Sequence, residues 1–391
     1  MRATGHFGCG VALVLTAAVA IHAANVTVET SEQLRKAAQD AEAGARLVLE
    51  GSVYSGGVYL QNVCGREGRP IVIEGADANK PPVFTGGSQA LHLADCADVV
   101  LRNLRVEGFG LNGINIDDGG SFETPARRIV LENVTIVRTG PKGNHDALKM
   151  SGVDHFVVRN CRFEGWGGSG IDMVGCHHGV VENCTFVGRE GYSQSNAVQL
   201  KGGTRDVLVH KCLFLNAGER AINLGGSTGL AFFRPEVGDY EAKEITIAGN
   251  RFVGGTAAVA WVTADGGHVH HNTIFMPETW VLRILQETKD EQFRRSHGGI
   301  FEHNLVVYDS RVRVFVNIGP GTTPDTFVFR HNAWHAVGGE RRPNLPVAEE
   351  GGLYLDDLNV SPEALLRGEP PVRDPRLDDI GAHAYEPTGA R

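Results

Sequence analysis

Short apolar runs interrupted by polar turn residues recur along most of the 391-residue chain. Typical copies are "VVRNCRFEG" and "VVENCTFVG", in which β-branched and aromatic residues surround Asn160 and Asn183. Related copies carry an asparagine, or in one copy a lysine, at intervals of 22 to 39 residues: Asn103, Asn133, Lys211, Asn250, Asn272, Asn304 and Asn332. A strand-rich repeat with this period predicts a solenoid or a propeller.

The copies are too short for the four-stranded blade of a propeller, so we predict an all-β, single-stranded parallel β-helix. In stacked coils the repeated asparagine can pair its amide with those above and below, or can occupy a left-handed turn. Both uses are expected here. The residues that directly follow this position include Cys161, Cys184 and Cys212. We interpret them as stacked, buried thiols in preference to a disulfide framework.

The two ends of the repeat look different from its middle. Residues 31–44 have helical apolar spacing, begin with Ser-Glu and end at Gly44, which predicts an amphipathic helix over the first open coil. We assign residues 25–340 to the β-helix. Residues 341–391 are rich in Pro and Gly and are expected to form a tail packed on or over the last coil.

The first 24 residues have the pattern of a signal peptide. Arg2 precedes the apolar run Val11–Ile21, and small residues follow near Ala23. The run is too short to cross a bilayer, although a buried N-terminal helix is the alternative interpretation. We therefore expect a secreted or periplasmic protein that is not associated with the membrane after cleavage.

Composition narrows the choice of partner. The formal net charge is −9, which argues against general nucleic-acid binding, while leaving room for a local basic cleft. Glycine accounts for 51 residues without a collagen period, so many turns are expected. A solenoid capped at both ends is expected to be a monomer.

The sequence resembles the right-handed parallel β-helix proteins of the pectin-lyase-like superfamily. The resemblance rests on the helical cap, the following "RLVLEGSVYSGG" and "RPIVIEGA", the N-C-x-F coils and the closing "DIGAHAYEP". It implies a right-handed β-helix that handles carbohydrate. It does not select among lyases, hydrolases, epimerases and non-catalytic binders, because this fold carries all of them.

Five strands that follow Gly-rich turns align by their inward apolar residues: "NGINIDD", "DALKMSG", "SGIDMVG", "NAVQLKG" and "RAINLGG". With a period of two, one outward column holds small residues, namely Gly113, Ala147, Gly170, Ala197 and Ala221. The next outward column is polar, namely Asn115, Lys149, Asp172, Gln199 and Asn223. We interpret the two columns as the floor and wall of a sugar-binding groove.

The groove chemistry favours a lyase that acts on an acidic, uronic-acid-containing polysaccharide. Lys201, which has a cationic neighbour, is the expected base, and Arg220 is expected to clamp the substrate carboxylate. The remaining expected substrate-binding residues lie along the groove, its turns and its lip: His145, Asp146, Lys149, Asp172, His178, Gln199, Asn223, Arg234, Tyr240 and Arg283.

The strand "SNAVQLKGG" resembles the strand that carries the catalytic lysine in alginate and dermatan lyases of this fold, with the match at Lys201. This resemblance implies Ca²⁺ as a cofactor. Asn196 and Gln199 stand where those enzymes have carboxylates, and Gly225 stands where they have an arginine. This strand therefore lacks the carboxylate ligands for Ca²⁺, and Arg220 is the expected substitute for the arginine.

Two alternatives remain open. A glycoside hydrolase or epimerase would use Asp146 and Asp172 as paired carboxylates on adjacent coils. The segment also resembles polygalacturonase-type hydrolases, but only Asp172 and Lys201 match their pattern. A secreted, non-catalytic glycan-binding solenoid would use the same groove without chemistry.

Overall fold

A computed structural model describes residues 25–339 and 341–387, so the expected signal peptide lies outside the described residues. The chain is an all-β, right-handed parallel β-helix. Within the described residues, successive coils stack their strands in parallel in two sheets, and the larger sheet supplies two of the three faces of the helix. None of the helices in the described residues has the length and hydropathy of a membrane-spanning segment.

The sheet that carries the groove, here called sheet I, contains one short strand from each of ten coils. Its strands, in stacking order, are Val58–Gln61, Leu91–Ala94, Ile114–Asp117, Leu148–Ser151, Ser169–Val174, Asn196–Lys201, Arg220–Gly225, Val259–Val262, Leu282–Leu285 and Val316–Ile318.

Sheets II and III form the other two faces. Sheet II contains Asn25–Val28, Arg46–Leu49, Ile71–Gly75, Val153–Arg159, His177–Glu182, Thr204–His210, Ala242–Ala248, Ala264–Asp265, His268–His270, Ile300–Glu302 and Val328–Arg330. Sheet III contains Val53–Ser55, Val83–Thr85, Arg162–Glu164, Thr185–Val187, Leu213–Leu215, Arg251–Val253, Thr273–Phe275, Leu305–Tyr308, Ala333–Ala336 and Leu353–Leu355. The longer strands Ala97–Glu107 and Ala126–Val137 belong to both.

The core between the sheets consists of stacked like residues. Four phenylalanine rings of sheet III lie one above another with centroids 4.8 to 4.9 Å apart, the spacing of neighbouring parallel strands: Phe163, Phe186, Phe214 and Phe252. Each ring is fully buried. The repeated N-C-x-F motif therefore supplies the interior of successive coils.

The predicted capping helix spans Ser31–Gln39, five residues shorter than expected. Its N-cap is Thr30, whose hydroxyl accepts from the backbone N–H of Gln33 while the Gln33 side chain accepts from the Thr30 N–H. Leu34 is fully buried among the core residues. The chain after Asp40 forms a turn up to Gly44, so the alanines that extended the helical pattern lie outside the helix.

The repeated asparagines occupy two different positions, one residue apart. Asn160 and Asn183 have positive φ and sit in left-handed turns, as do Asn103, Asn133 and Lys211. In the later coils a glycine or histidine takes that turn, and the asparagine follows it into the interior. Asn250, Asn272, Asn304 and Asn332 are fully buried there. Their amide Nδ2 groups donate to the next Oδ1 at 3.0 Å along the stack.

The buried column that ends in asparagines begins with cysteines. The Cys212 backbone N–H donates to Asn250 Oδ1 at 3.0 Å, which joins the two parts. Cys161, Cys184 and Cys212 are buried, free thiols, and they direct Sγ toward main-chain carbonyls. Burial raises the pKa of the Cys161 and Cys184 thiols well above its usual value.

The C-terminal segment differs from the sequence expectation in one respect. Leu353–Leu355 pairs in parallel with Ala333–Ala336, so a further rung lies beyond residue 340. The following residues include the helix Pro362–Arg367 and run back along the outside of the coils. There, Ala382 donates to Thr273 Oγ1 at 3.0 Å, and Arg251 donates to the carbonyl of Leu365 at 2.7 Å.

The column of small residues is not the floor of a groove, contrary to the sequence interpretation. Ala147 and Ala197 are buried in the core. A Cβ built on Gly170 would lie 3.0 Å from Cδ1 of the core ring of Phe186. The period of two breaks where these strands begin: the pairing passes from Ser169–Asn196 to Ile171–Val198 and leaves Gly170 unpaired. The column therefore faces inward, and the residues directly before it lie on the outer side of the sheet, where Asp146, Ser169 and Asn196 are covered by neighbouring side chains.

Candidate active site

The outer face of sheet I carries two neighbouring columns of polar side chains, set by the register of its strands. The first column contains the residues that directly precede the predicted small ones, namely Asn112, Asp146, Ser169, Asn196 and Arg220. The second column is the polar one already predicted. Members of the two columns three residues apart contact each other, as in Asn196–Gln199 at 3.1 Å and Arg220–Asn223 at 3.3 Å. A continuous polar surface results.

Two lysines and two carboxylates form the centre of this surface. Asp172 ion-pairs with Lys149 through Oδ2, and its Oδ1 lies 3.1 Å from Lys201 Nζ. Asp146 Oδ2 lies 3.5 Å from Lys149 Nζ. Both carboxylates are fully buried, whereas the lysine side chains keep 14% and 23% of their surface exposed. The carboxylates therefore form a layer beneath the lysines.

Burial and charge set the protonation of this cluster. Burial raises the pKa of Asp146 to about 7, helped by the neighbouring Asp172 charge. Burial also acts to raise the pKa of Asp172, but the Lys201 and Lys149 ammonium groups outweigh it and hold that pKa below its usual value. For Lys149, burial is outweighed by Asp172 and Asp146, so its pKa is raised and it stays protonated.

The side chains of Lys149 and Lys201 line a cavity of about 350 Å³. Its wall includes Lys149 and Lys201 from sheet I and Phe232 and Arg234 from the inserted segment between two coils. Hydroxyl and amide groups complete it: Asn144, Ser151, Ser227 and Thr228. The inserted segment, residues 229–244, forms the lip of the groove and contributes two lining side chains, Phe232 and Arg234. Sequence reasoning did not single out Ser227 or Thr228, which lie in the irregular stretch after the strand Arg220–Gly225 and carry no chemical motif.

Arg234 is fixed at the edge of this cavity. Its Nε donates to Asp118 Oδ2 at 2.5 Å, and its guanidinium carbon lies 3.6 Å from the ring centroid of Phe122. Asp118 is nearly fully buried. Asp118, on an earlier coil and 116 residues away in sequence, therefore fixes the position of Arg234 at the edge of the cavity.

Glu241, next to Tyr240 in the inserted segment, is the buried anchor of this wall of the cavity. Its carboxylate accepts from the backbone N–H groups of Gly202 and Thr228, both at 2.7 Å. It also accepts from the hydroxyls of Thr228 at 2.7 Å and Thr288 at 2.6 Å. These bonds fix the turn that follows Lys201 to the wall opposite it. Glu241 is thus a positioning residue for the cavity.

Several predicted site residues do not line this cavity. His178 is on sheet II, where its ring stacks on His155. Tyr240 lies beside Lys243, whose ammonium is 5.6 Å from the ring centroid. Asn223 is fully buried and donates to the Gly225 carbonyl at 3.0 Å. His145 precedes its strand and accepts through its main-chain carbonyl from Gly167 and Gly168.

Arg220 does not stand free as a clamp for substrate. Its Nη2 donates to Glu287 Oε1 at 2.6 Å, on a loop 67 residues later. Gln199 is the hub of the local hydrogen bonds: its Oε1 accepts from Ser169 Oγ at 3.2 Å and from Asn196 Nδ2 at 3.1 Å. Arg283 lies farther along the polar column, 4.4 Å from the ring centroid of Trp280.

The donor set does not suit Ca²⁺, the cofactor that the resemblance implied. Calcium takes six to eight oxygen ligands, with carboxylates prominent among them. The two carboxylates at this position are fully buried and already face lysine ammonium groups. The exposed lining offers hydroxyl and amide oxygens beside two lysines and an arginine. The positive charges of Lys149, Lys201 and Arg234 line the cavity and would repel a bound cation.

Comparisons with known proteins agree on the fold. The family model described as "Right handed beta helix region" matches residues 89–274. None of the curated protein sequences matches the chain. Among solved structures, an alginate lyase from Paenibacillus sp. strain FPU-7 is similar, with a TM-score of 0.50 and 17% identity over 85% of this chain and 98% of its own.

Two further solved structures are similar at the same level. The A-module of the mannuronan C-5 epimerase AlgE6 from Azotobacter vinelandii has a TM-score of 0.55 and 14% identity, covering 84% of this chain and all of that module. The GH136 lacto-N-biosidase from Eubacterium ramulus has a TM-score of 0.54 and 13% identity, covering 84% and 67%. At these identities the similarity establishes the right-handed β-helix fold and does not identify a reaction.

Proposed function

We propose that this protein is an exported polysaccharide lyase that cleaves a uronic-acid-containing polymer by β-elimination in the groove on sheet I. The observation that carries the proposal is the pair of lysines in one cavity, supported from below by a buried carboxylate. A uronate carries its negative charge next to the carbon whose proton must be removed. One of two neighbouring amines can bind the uronate carboxylate, and the other can remove the proton.

The surroundings of Lys149 give it one role, which leaves the second amine, Lys201, as the base. Lys149 is held protonated by Asp172 and Asp146, so it suits the substrate carboxylate and the negative charge that develops on it. Lys201, in its neutral form, takes the C5 proton. The C4–O bond then breaks, a C4=C5 double bond forms, and the Lys201 ammonium returns the proton to the departing oxygen. Arg234 supplies a second cation at the rim.

The exposure of the side chains weighs against hydrolysis by Asp146 and Asp172. A glycosidase needs both carboxyl groups in contact with the sugar or its attacking water. Both side chains are fully buried under the lysines. The same geometry argues for a lysine-based reaction over a carboxylate-based one.

A non-catalytic binder of acidic glycans is the second candidate. The observation that favours it is the 3.1 Å contact of Lys201 Nζ with Asp172, since an ion-paired ammonium binds anions without accepting a proton. Lyase and binder differ in whether Lys201 must become neutral. An arginine at this position keeps the charge but stays protonated at any pH near neutrality.

The test compares three variants on a panel of uronic-acid polymers. We expect the wild-type protein to produce the ultraviolet absorbance of an unsaturated uronate, and Lys201→Ala to lose it by at least ~100-fold, the usual contribution of a general base. Lys201→Arg should bind polymer while failing to cleave it. Lys36→Ala, on the exposed face of the capping helix, is the matched control and should be fully active.

Other results would decide against the lyase. Cleavage by Lys201→Arg at the wild-type rate would remove Lys201 from the role of base. Binding of the polymers by all variants with no absorbance and no new reducing ends would identify the binder. New reducing ends without absorbance would indicate hydrolysis.

A further inference from the structure

A cluster of metal-binding side chain types lies on sheet II, outside the groove. Its members are Asp154, His155 and His178, and one ligand atom from each lies within 4.8 Å of the others. His178 Nδ1 is 2.7 Å from Asp154 Oδ1, and His155 Nδ1 is 3.0 Å from Asp154 Oδ2. One carboxylate thus faces two imidazoles.

The fold places the two histidines in register. His155 and His178 occupy equivalent left-handed positions within the adjacent strands Val153–Arg159 and His177–Glu182, with φ of 54° and 52°. Their rings stack with centroids 4.8 Å apart. Their side chains keep 62% and 42% of their surface exposed, so solvent ions reach them. Asp154, at the neighbouring position of the same strand, is the more buried member.

The next coil places a carboxylate on the far side of the His178 ring, where a metal-bound histidine ordinarily has one. His178 Nε2 lies 3.6 Å from Asp206 Oδ2. Histidines that bind a metal usually donate their other ring N–H to a carboxylate, which fixes the ring and its tautomer. Asp206 Oδ2 also accepts from Arg205 Nη1 at 2.7 Å, so the carboxylate is held in place beside the His178 ring.

We propose that Asp154, His155 and His178 bind a divalent transition-metal ion of the imidazole-preferring kind, represented by Zn²⁺. The ion takes the Nδ1 atoms of both histidines and one Asp154 oxygen, at about 2 Å each, and water completes the coordination. Asp206 acts through His178 as a positioning residue. The ion joins two coils of sheet II and does not depend on the proposed reaction in the groove.

The test is calorimetric titration of the full chain with ZnCl₂ after removal of metals by a chelator. We expect saturable binding in the wild-type protein, and binding at least about tenfold weaker in His178→Asn and in His155→Asn. Asparagine tolerates the left-handed turn, so both variants are expected to fold. Asp206→Asn should weaken binding by about tenfold, because it leaves the ligands in place and removes only the support of the ring.

The matched control is His331→Asn, an exposed histidine in the same left-handed conformation, with φ of 54°, on a distant coil of sheet II. It should bind Zn²⁺ as the wild type does. Circular dichroism of the metal-free variants checks that the coils are intact. Absence of binding in the wild-type protein, or unchanged binding in the His155→Asn/His178→Asn double variant, would overturn the proposal.

Discussion

Two buried aspartates at the centre of the groove differ in protonation because their lysine contacts differ. Asp172 touches both ammonium groups, which outweigh the effect of burial, so it stays ionised. Asp146 has one lysine at 3.5 Å and accepts from the Ser169 backbone N–H at 2.7 Å, which does not offset burial. Its pKa of about 7 means that it exchanges a proton near neutral pH.

This raised pKa predicts a pH-dependent cost of folding. The unfolded chain releases the Asp146 proton near pH 4, whereas the folded chain holds it up to about pH 7. Between those values the folded state binds more protons, so the contribution of Asp146 to stability falls as pH rises from about 4 to 7 and is constant above. Asp146→Asn removes this cost and keeps the Oδ1 acceptor. We expect the variant to be ~1–3 kcal/mol more stable than wild type at pH 8, with little difference at pH 4.

Chemical denaturation of both proteins at the two pH values measures this difference. Asp154→Asn, which removes an aspartate on sheet II whose pKa is lowered, is the control. It should show no gain in stability at pH 8. A stability difference between Asp146→Asn and wild type that does not change with pH would contradict the assignment.

Spacing in the sequence predicted part of this cluster. The period of two placed Lys149 and Asp172 side by side on neighbouring coils, as the register shows. It also placed Arg220 next to Lys201, but Arg220 pairs with Glu287. Similarly, Asp118 holds Arg234 across 116 residues. Contacts that join an irregular loop to a coil are not encoded in any period, so such partners could not be predicted.

At the scale of a structural element, the ladder Asn250–Asn272–Asn304–Asn332 joins four coils through fully buried amides. Each inner asparagine both accepts and donates. Asn272 Oδ1 accepts from the Asn250 backbone N–H at 2.9 Å, and Asn272 Nδ2 donates to the carbonyls of Ile247 and His270, each at 2.9 Å. Each inner asparagine of this part of the column therefore satisfies buried groups of the coils on both sides.

Replacing one inner member is expected to destabilise the protein strongly. Asn272→Cys introduces the residue that the same column uses in earlier coils, at similar volume. It leaves buried donors of Asn250 and carbonyl acceptors without partners, each costing about 1–3 kcal/mol. We expect a clear drop in the thermal unfolding temperature. Asn183→Gly, at an exposed left-handed turn, is the control and should change it little. Equal melting of Asn272→Cys and wild type would show that the ladder contributes little.

The one-residue shift between the two asparagine sets explains a limit of the repeat alignment. Aligning the copies on asparagine placed Asn183 and Asn272 in the same column. In the structure, Cys184 is the equivalent of Asn272, and His271 takes the turn with φ of 51°. Both alignments preserve the apolar pattern of the flanking strands, and the choice between them depends on which residue adopts positive φ. The strands could be predicted from the sequence, and this choice could not.

At the scale of the whole molecule, the period alone was sufficient for the fold. Stacked coils require like residues in like places, and the sequence shows them over most of the chain. The departures lie where the period fails. The strand Leu353–Leu355 and the segment that runs back over the coils follow a Pro- and Gly-rich stretch without a repeat. Their positions are set by packing against particular coils, which local sequence does not reveal.

The groove is also longer than the cavity that would hold the reacting sugar. On one side of the lysines, His92 of the second outward column is hydrogen-bonded to Asp117 at 2.6 Å. Arg283, on the other side, is stacked near Trp280 and donates to Asn317 Oδ1 at 3.0 Å. Within the described residues, no carboxylate lies within ion-pair distance of Arg283. It is thus available to an anion, in contrast to Arg220.

The distance between Arg283 and Lys201 predicts an effect that depends on polymer length. Their strands are three coils apart, which corresponds to ~14 Å at the spacing of parallel strands. A substrate held at both places must be several sugars long, so Arg283→Ala should weaken binding of long uronate polymers by about fivefold, or ~1 kcal/mol. Short oligosaccharides that end before Arg283 should be processed unchanged. Steady-state kinetics on both substrates measures this as a rise in KM for the polymer alone.

Arg159→Ala, which removes an ion-paired arginine on sheet II, is the control and should leave both KM values unchanged. If Arg283→Ala raised KM equally for both lengths, the substrate would not extend along the helix axis from Lys201 to Arg283.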